Sequence, residues 1–438
     1  MANPYLPGWE YIPDGEPRVF GDRVYIYGSY DNAGSDSFCD YKLKVWSAPV
    51  DDLNNWVCHG DIFHTRPDRD HESDTDWTDN YLYAPDLVEK DGKYYLYCYI
   101  LGSKGCVAVS DRPEGPFELL SKYKYDIPDE LVEDGIFVDP GVLVDDDGRV
   151  YIYCGYLKSY MAELKSNMYE VVSGSHIPDI IPVSEELNGF FEACSMRKVG
   201  DTYYLIYSPK RGCRLDYKTS KSPTGPFEYR GTIIDNGIDY PGGNDHGSIC
   251  CINGQWYIFY HKMTNNTITS RRACVERIEI LPDGTIPQVE MTSLGFEKAL
   301  NPYKITPADI ACVLKGGCFI TEHTPFTRVI TNIKRRAVIG YKYFEFGEDF
   351  TSKTMELSFK TKGTGLKATV NIFIDGEDGT KIGSCEIGSA DGVYNCIVDK
   401  VTGRHSLYFV IEHNYRGWFE DAFEERQLFE LESFVFMK

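Results

Sequence analysis

The most constraining feature of this sequence is a motif that occurs five times within its first 260 residues. Each copy has a Gly, Asp or Asn turn, one or two spacer residues and a short aromatic strand. Aligned on the tyrosine that precedes Ile or Leu, the copies are 70, 56, 53 and 53 residues apart. Repeats of this length, each beginning a β-hairpin, are typical of four-stranded blades around an axis. The aligned residues are Tyr25, Tyr95, Tyr151, Tyr204 and Tyr257.

The repeat ends near residue 300, and short alternating strands continue without the aligned tyrosine. This pattern is typical of a β-sandwich. We therefore predict an all-β chain, with a five-bladed β-propeller over residues 1–300 and a β-sandwich (jelly-roll) domain over 301–438. Strands are predicted in the first part at Arg18–Tyr30, Tyr94–Ile100, Cys106–Ser110, Val150–Gly155, Thr202–Ser208 and Trp256–Lys262. In the second part they are predicted at Arg328–Asn332, Val338–Phe346, Thr354–Thr361, Ala368–Asp375, Gly392–Val398, Ser406–Glu412 and Leu428–Phe436.

Polar residues recur at similar distances before the aligned tyrosines. Because equivalent residues of successive blades occupy equivalent places around the axis, we expect them to converge at one end of a central tunnel. These residues are Asp14 and His246 at 11 positions before the tyrosine, Asp139 and Glu192 at 12, and Asp86 at 9.

Each of these residues also has a purely structural interpretation. Asp14 fits an ordinary turn, and Asp139 fits a satisfied buried turn residue. Glu192 follows two phenylalanines, an apolar setting that raises the pKa of a carboxyl group. His246 is compatible with a metal ligand, a hydrogen-bond donor or a capped loop histidine, and one histidine is weak support for zinc. The shared register favours a functional role for the acids as a group.

A carboxylate and a carboxylic acid facing one pocket form the basic arrangement for glycoside hydrolysis. A third acid beside the proton donor would keep that donor protonated by charge repulsion. The sequence lacks the G-x-S-x-G, G-x-x-x-x-G-K-[ST] and G-x-G-x-x-G motifs of competing chemistries.

Composition excludes several classes of protein. A net charge of −22 argues against nucleic-acid binding, which needs basic surface. No apolar run is long enough to cross a bilayer, so we expect a soluble protein without a membrane partner. The fourteen cysteines include no C-x-x-C pair, which favours reduced thiols. The first residues lack the features of a signal peptide, so we expect a cytoplasmic location.

The repeats resemble glycoside hydrolase family 43 over roughly residues 3 to 295. The motifs that carry this resemblance are Asp14 with the following Arg18-Val19-Phe20, Val138-Asp139-Pro140, Glu192-Ala193 and Asp245-His246-Gly247-Ser248. The resemblance implies a five-bladed propeller that acts as a β-xylosidase, α-L-arabinofuranosidase or arabinanase with inversion of the anomeric configuration. Gly15 departs from the family pattern, which usually has proline directly after the base.

The resemblance also implies roles for single residues. Asp14 would be the general base, Glu192 the general acid and Asp139 the residue that orients Glu192 and tunes its pKa. His246 would contact substrate or, through water, a structural calcium ion near the propeller axis, although no cofactor is required. Further substrate contacts are predicted for Arg272 (with Arg271 a close rival), Phe191 and Asp86.

The carboxyl-terminal part resembles a family 6 carbohydrate-binding module, chiefly in residues 340–347 and 401–409. Tyr341, Tyr343 and Trp418 are candidates for stacking on sugar, while inward packing is the alternative. This module either binds carbohydrate or only braces the propeller.

We predict an inverting exo-acting hydrolase that releases terminal β-D-xylose or α-L-arabinofuranose from small plant-derived oligosaccharides. The acidic segment 67–79 and the second domain are expected to close one end of the pocket. The alternatives are an endo-acting arabinanase, which needs an open groove, and a non-catalytic carbohydrate-binding propeller. A protein-interaction propeller is disfavoured because the chain has no Trp-Asp dipeptide.

Overall fold

A computed structural model of the 438-residue chain describes residues 1–102, 105–122, 137–184, 188–237 and 245–438. Within these ranges the regular structure is nearly all β, in agreement with the predicted class. Helical structure in the described ranges is limited to one 3₁₀ turn, Ala308–Ile310, and one short helix, α1, at Trp418–Phe423. Neither is long and apolar enough to cross a lipid bilayer.

The first part of the chain forms five antiparallel sheets, and within each sheet the strands are paired in chain order. Four sheets have four strands and the fifth has three. The first two sheets contain β1 (Glu16–Phe20), β2 (Arg23–Gly28), β3 (Lys42–Pro49), β4 (Val57–His64), and then β5 (Leu82–Lys90), β6 (Lys93–Ile100), β7 (Cys106–Ser110), β8 (Glu118–Lys122). The third and fourth contain β9 (Gly141–Val144), β10 (Val150–Cys154), β11 (Tyr160–Leu164), β12 (Ile177–Pro178), and then β13 (Phe190–Val199), β14 (Thr202–Pro209), β15 (Arg214–Ser220), β16 (Glu228–Asp235). The fifth contains β17 (Ser248–Ile252), β18 (Gln255–Met263) and β19 (Arg271–Ile278).

The repeated motif forms the hairpin between the first and second strand of each sheet, so all five aligned tyrosines lie in second strands. The prediction of one strand over Arg18–Tyr30 is wrong, because Gly21 and Asp22 separate β1 from β2. Gly21 has a φ of 60°, which a glycine adopts without a steric penalty.

The first strands of the five sheets contact one another in cyclic order: β1 contacts β5, β5 contacts β9, β9 contacts β13, and β17 contacts both β13 and β1. The amino-terminal segment runs beside β19 in the fifth sheet. The Asn3 side chain accepts a hydrogen bond from the Val275 backbone and donates one to its carbonyl oxygen. The Tyr5 backbone N–H donates to the carbonyl of Ala273. The beginning of the chain is thus joined to the last of the five sheets.

The rest of the chain forms two further antiparallel sheets. One has the order β22-β23-β30-β25-β28, with β20 also paired to β30, and the other has the order β21-β24-β29-β26-β27. These strands are β20 (Thr306–Pro307), β21 (Val313–Lys315), β22 (Phe319–Thr324), β23 (Thr327–Ile333), β24 (Val338–Glu345), β25 (Thr354–Gly363), β26 (Ala368–Ile374), β27 (Thr380–Ile387), β28 (Gly392–Asp399), β29 (Arg404–Glu412) and β30 (Phe429–Met437).

Aromatic residues fill the core of this second part, and Tyr341 is one of them. Its fully buried ring packs against Phe409 and Phe434, so of its two interpretations inward packing is correct and stacking on sugar is wrong. Tyr343 donates a hydrogen bond to Glu290 and lies under the Arg404 guanidinium.

One hydrophobic cluster continues from the fourth and fifth sheets into the second part of the chain. At this junction the fully buried Arg272 donates a 3.0 Å hydrogen bond to Asp309. The Nζ atom of Lys262 donates to the carbonyl oxygen of Ala311 at 3.0 Å. The two parts therefore share buried apolar and charged contacts.

Candidate active site

Asp14 and Asp139 occupy equivalent positions, each two residues before the first strand of its sheet. Both have positive φ angles, 57° for Asp14 and 52° for Asp139, which few non-glycine residues adopt. Such backbone conformations persist where the surrounding structure enforces them, and they cluster at functional sites. Gly28 helps to enforce the first, since a Cβ atom on this residue would lie 2.4 Å from the Pro13 carbonyl oxygen.

Glu192 lies beside Asp139 because the backbones of two sheets approach closely here. A Cβ atom at Gly141 would lie 2.4 Å from the carbonyl oxygen of Cys194. The Ala193 backbone N–H donates a 3.0 Å hydrogen bond to Asp139 Oδ2. The pairing of β13 with β14 shifts register on both sides of Glu192, and such bulges redirect side chains.

His246 lies between the acids from the first and third sheets. Its Nδ1 atom is 3.8 Å from Asp14 Oδ1 and 3.7 Å from Asp139 Oδ2. The preceding residue, Asp245, is fully buried and accepts hydrogen bonds from the backbone N–H groups of His246 and His261. The matched offsets in the sequence therefore correspond to neighbouring side chains in the structure.

These acids and His246 line one cavity of about 670 Å³. Its walls combine the charged groups with several aromatic rings, a composition suited to binding sugars. None of residues 67–79 or 301–438 belongs to the described lining, so the described residues do not show the expected closure of the pocket by this segment and the second domain. Residues 73–76 instead share a separate cavity with residues 119–121. The lining residues are Asp14, Phe38, Tyr83, Tyr99, Leu101, Val138, Asp139, Tyr156, Phe191, Glu192, Pro209, Lys210, Gly212, His246, Ile268 and Arg271.

Arg271 makes the closest ionic contact with Asp14. Its Nη1 atom donates a 2.7 Å hydrogen bond to Asp14 Oδ1, while Ser29 donates to Oδ2 at 2.7 Å. Asp31 holds the arginine in place by accepting from Nε at 2.8 Å and from Nη2 at 2.9 Å. The Phe38 ring lies 5.0 Å from the guanidinium carbon. Arg271 is thus fixed against Asp14 by a second carboxylate.

The three buried aspartates of the site differ in their preferred charge. Burial alone would raise the pKa of Asp14, but the Arg271 charge and the contact with His261 hold it well below its ordinary value. Burial raises the pKa of Asp139 to about 8, and the neighbouring charges of Glu192 and Asp14 add to this effect. Burial also raises the pKa of Asp245 to about 6. The surroundings therefore favour the ionised form of Asp14 and the protonated form of Asp139.

The predicted role of Arg272 in substrate binding is wrong, and Arg271 takes that place at the cavity. Successive residues of a strand point to opposite faces. Within β19, Arg271 therefore faces the cavity, while Arg272 faces the second part of the chain and pairs with Asp309.

Asp86 does not line the cavity either. It is fully buried and accepts hydrogen bonds from the Arg18 side chain and from the backbone N–H of Val142. Its offset of 9 already separated it from the others. Tyr83, which is 12 positions before Tyr95, does line the cavity. The offset of 12 that applies to Asp139 therefore also identifies the cavity-lining residue from the second sheet.

Charged residues in three of the first strands, β1, β5 and β13, pair with one another across neighbouring sheets. Arg197 donates to Glu16 at 2.5 Å, and Arg18 donates to Asp86 at 2.6 Å. These two pairs compensate their own charges. His246 offers one imidazole nitrogen at the site, and both carboxylates near it already accept hydrogen bonds.

An ionised carboxylate, a protonated one and a glutamate in a single cavity define an acid–base hydrolase site of the glycosidase type. The chain matches the description "Glycosyl hydrolases family 43" over residues 3–286. It belongs to this family and is a glycoside hydrolase.

A xylosidase/arabinosidase of Thermoclostridium stercorarium is 40% identical over 404 residues, covering 78% of this chain and 82% of that protein. A β-xylosidase/α-arabinofuranosidase from a compost microbial metagenome, solved with xylotriose in a calcium-free form, is 26% identical with a TM-score of 0.53. The alignment covers 65% of this chain and 96% of the compost enzyme.

An arabinoxylan arabinofuranohydrolase from Bacillus subtilis, solved with cellotetraose, has a TM-score of 0.54 at 22% identity. The similarity covers 100% of this chain and 97% of that one. At this identity the comparison bears on the fold alone, which extends over both parts of the chain.

Proposed function

We propose that the protein is an inverting exo-acting hydrolase that releases terminal β-D-xylose or α-L-arabinofuranose from small plant-derived oligosaccharides. The observation that carries this proposal is the convergence of Asp14, Asp139 and Glu192 on one cavity, where Arg271 lowers the pKa of Asp14 and burial raises that of Asp139. The names of the similar proteins, a xylosidase/arabinosidase and a β-xylosidase/α-arabinofuranosidase, support this substrate class.

In the proposed mechanism, Asp14 is the general base that takes a proton from the attacking water. Arg271 and Ser29 each donate to one of its oxygens, which keeps the carboxylate ionised and fixes its plane. Water attacks the anomeric carbon as the bond to the leaving oxygen breaks, so one displacement inverts the configuration.

Glu192 is the proposed general acid and gives its proton to the leaving oxygen. Asp139 is the proposed positioning residue, since its charge and that of Glu192 disfavour each other. The pair therefore retains a proton at neutral pH, and this proton is available to the leaving group. His246, Arg271 and Phe191 line the space left for the sugar.

An endo-acting arabinanase is the alternative with the same catalytic acids. A non-catalytic carbohydrate-binding propeller is disfavoured by the electrostatic cost of burying Asp14, Asp139 and Glu192 in one cavity without a chemical use for them.

We propose that residues 1–300 form a five-bladed propeller, supported by the cyclic contacts of the five first strands. We also propose that residues 301–438 form a β-sandwich related to family 6 carbohydrate-binding modules. Its two sheets with a shared aromatic core support the sandwich. Trp418, with 75% of its surface exposed, supports a carbohydrate contact.

For the calcium ion near the axis, the residues fit only a water-mediated arrangement. Calcium prefers six to eight oxygen ligands, whereas His246 offers nitrogen and its neighbouring carboxylates are already hydrogen-bonded. The compost enzyme solved in a calcium-free form makes the question relevant to the family. We propose that His246 would hold such an ion through water and that no catalytic step depends on it.

A cytoplasmic location remains a proposal. All fourteen cysteines are free, and eleven of them are buried, which suits a reducing compartment.

The proposal is tested by assaying the purified protein on p-nitrophenyl β-D-xyloside, p-nitrophenyl α-L-arabinofuranoside and linear arabinan. We expect activity on one or both pentosides, little on arabinan, and a product with inverted configuration in proton NMR. Asp14→Asn should reduce kcat by about 10³-fold or more. Full activity of Asp14→Asn, or a product of retained configuration, would refute the mechanism, while preferred cleavage within arabinan would establish the endo-acting alternative.

A further inference from the structure

The end of strand β4 places an aspartate and a histidine on the same face. Asp61 and His64 are three residues apart, so regular alternation would direct them to opposite faces. The β3–β4 pairing shifts register between Leu43 and Lys44, and Ile62 is the extra residue on β4. This bulge reverses the alternation. As a result, Asp61 Oδ2 lies 3.4 Å from His64 Nε2.

Asp68, from the following loop, completes a group of three. Its Oδ2 atom lies 3.8 Å from His64 Nδ1, and one ligand atom from each of the three residues lies within 4.8 Å of the others. Two ligands bound tetrahedrally to zinc at about 2.0–2.1 Å are separated by about 3.3 Å. The distance between Asp61 and His64 already has this value.

His64 is fully buried, and its hydrogen bonding leaves Nε2 as a free acceptor. The Nδ1 atom lies 3.3 Å from the carbonyl oxygen of Arg66, which only accepts, so Nδ1 carries the proton. Among the described residues, neither Nε2 nor the buried Asp61 Oδ1 has a hydrogen-bond partner. Buried polar atoms are rarely left unpaired. Nε2 faces the other oxygen of the same carboxylate, Asp61 Oδ2, at 3.4 Å, and a cation between a nitrogen acceptor and a carboxylate oxygen would satisfy both.

The surrounding loop holds these groups in place. The His71 ring stacks on His64 at a centroid distance of 4.0 Å and donates to Asp74 Oδ2 at 2.8 Å. The same Asp74 oxygen accepts from the His64 backbone at 2.7 Å. Asp68 Oδ1 accepts two backbone hydrogen bonds, which leaves Oδ2 directed toward His64. Such supporting contacts orient the side chains that ligate metals.

We propose that Asp61, His64 and Asp68 bind a divalent transition-metal ion, and that Zn²⁺ is its best representative. One imidazole and two carboxylates suit zinc, whereas calcium prefers a larger set of oxygen ligands. Residues 61–79 contain seven Asp or Glu and two Arg, which adds a favourable field for a cation.

The ion would fasten the end of β4 to the acidic loop. From there the chain reaches the rim of the cavity, since Thr65 donates to the Asn80 carbonyl and the Asn80 side chain donates to the carbonyl of Leu101. Leu101 lines the cavity. The metal therefore acts on stability and takes no part in the chemistry.

Lys42 competes with the metal ion for the carboxylate of Asp61. Its Nζ atom lies 3.2 Å from Asp61 Oδ2, the oxygen that also faces His64. The side chain is partly exposed and lies near the Tyr30 ring, so the ammonium group has another favourable position when a metal arrives. Removing this positive charge should strengthen metal binding.

The test is isothermal titration of EDTA-treated full-length protein with ZnCl₂, together with thermal unfolding in the presence and absence of zinc. We compare the wild type with Asp68→Asn, which removes a ligand from a partly exposed position, and with Lys42→Met. Asp70→Asn is the matched control, since this aspartate lies in the same loop with 88% of its side chain exposed. CaCl₂ is titrated in parallel.

We expect one zinc per chain and a Tm increase of several degrees in the wild type and in Asp70→Asn. Asp68→Asn should bind at least about ten-fold more weakly, and Lys42→Met about five-fold more tightly. Equal affinity of Asp68→Asn and Asp70→Asn, or no zinc binding in the wild type, would overturn the proposal.

Discussion

Arg271 Nη1 donates a hydrogen bond of 2.7 Å to Asp14 Oδ1, although the two residues are 257 positions apart in the sequence. They come from the last and the first of the five sheets, which the closed order of the first strands brings together. Asp31 holds the guanidinium in this orientation by accepting two hydrogen bonds from it. The positive charge of Arg271 therefore stays in contact with the carboxylate of Asp14. The proposed base is therefore maintained as an anion.

Arg271→Lys should shift the acidic limb of the pH profile of kcat/KM to higher pH. Asp14 must be ionised to act as a base, and the Arg271 charge lowers its pKa in the folded protein. A lysine cannot reproduce the contacts of the guanidinium with both Asp31 and Asp14, so the pKa of Asp14 should rise. We expect kcat/KM at pH 6 to fall about 10²-fold, with a smaller loss at pH 8.

The neighbouring arginine provides the matched control for this measurement. Arg272→Lys changes the same residue type one position along β19 but lies at the junction with Asp309. It should lower Tm and leave the pH profile of kcat/KM unchanged. If both variants shift the profile equally, the effect comes from a general loosening of β19.

The fall in kcat caused by Glu192→Gln should depend on the leaving group of the substrate. A proton donor matters most for a poor leaving group such as a sugar hydroxyl, and general acid catalysis contributes about 10²–10⁴-fold. We expect kcat on xylobiose to fall about 10³-fold, and kcat on 2,4-dinitrophenyl β-D-xyloside, which needs no acid, to fall less than about ten-fold. The two kcat values are measured side by side. Equal losses on both substrates would assign Glu192 another role.

The sequence was sufficient to predict the β class and four residues of the candidate site. A repeat with one copy per sheet makes offsets within the repeat equivalent in space, so Asp14, Asp139, Glu192 and His246 could be placed together. The prediction that Asp86 belongs to the site was wrong because its offset differs by two to three positions from the others. Tyr83 has the matching offset.

The choice between Arg271 and Arg272 depended on which face of β19 each side chain occupies, and this follows from where the strand starts. Tyr341 shows a similar limit, since its burial is set by Phe409 and Phe434 from distant strands. The proposed metal site could not be predicted from the sequence either, because only a β-bulge brings Asp61 and His64 to the same face of β4. Local sequence patterns specify periodicity, while register and bulges depend on pairing with distant strands.

Asp139→Asn should make the stability of the protein less dependent on pH between about 4 and 8. The pKa of Asp139 is raised from 3.8 to about 8 on folding, first by burial and then by neighbouring carboxylates. The folded state therefore binds an extra proton in this window. Its stabilising contribution is complete below pH 4 and is lost as the pH rises toward 8. Asparagine is neutral throughout, so urea unfolding should show a smaller loss of unfolding free energy between pH 5 and pH 8.

Asp145→Asn is the control, because the stability contribution of Asp145 should depend on pH in the opposite direction. Burial opposes its ionisation, but hydrogen bonds from Lys198 and Tyr203 lower the pKa of Asp145 overall. Its contribution is present at neutral pH and is lost as the pH falls, so this variant should be destabilised at pH 7 and approach the wild type in acid. If Asp139→Asn shows the same trend as Asp145→Asn, Asp139 is ionised in the folded protein.

Asp309→Asn should destabilise the junction between the two parts of the chain. Arg272 is fully buried, and removing its partner's charge leaves a guanidinium without full compensation. Breaking a buried ion pair costs about 3 kcal/mol, so we expect Tm to fall by about 5 °C with kcat/KM nearly unchanged. Glu377→Gln removes half of an exposed pair with Lys315 and should change stability by less than about 0.5 kcal/mol. Similar losses in both variants would show that the Arg272 pair is no stronger than a surface contact.

Phe191→Ala should raise KM and leave kcat nearly unchanged. The Phe191 ring lies edge-on to Tyr156 with a centroid distance of 5.4 Å, and both rings line the cavity. An aromatic contact with a sugar is present before and during the reaction, so its loss weakens binding in both states equally. A contribution of about 0.5–1.5 kcal/mol corresponds to a KM increase of about 2–12-fold on xylobiose. Trp418→Ala, an exposed aromatic outside the cavity, should leave both constants unchanged on this short substrate. If kcat falls with KM unchanged, Phe191 serves instead to position the adjacent Glu192.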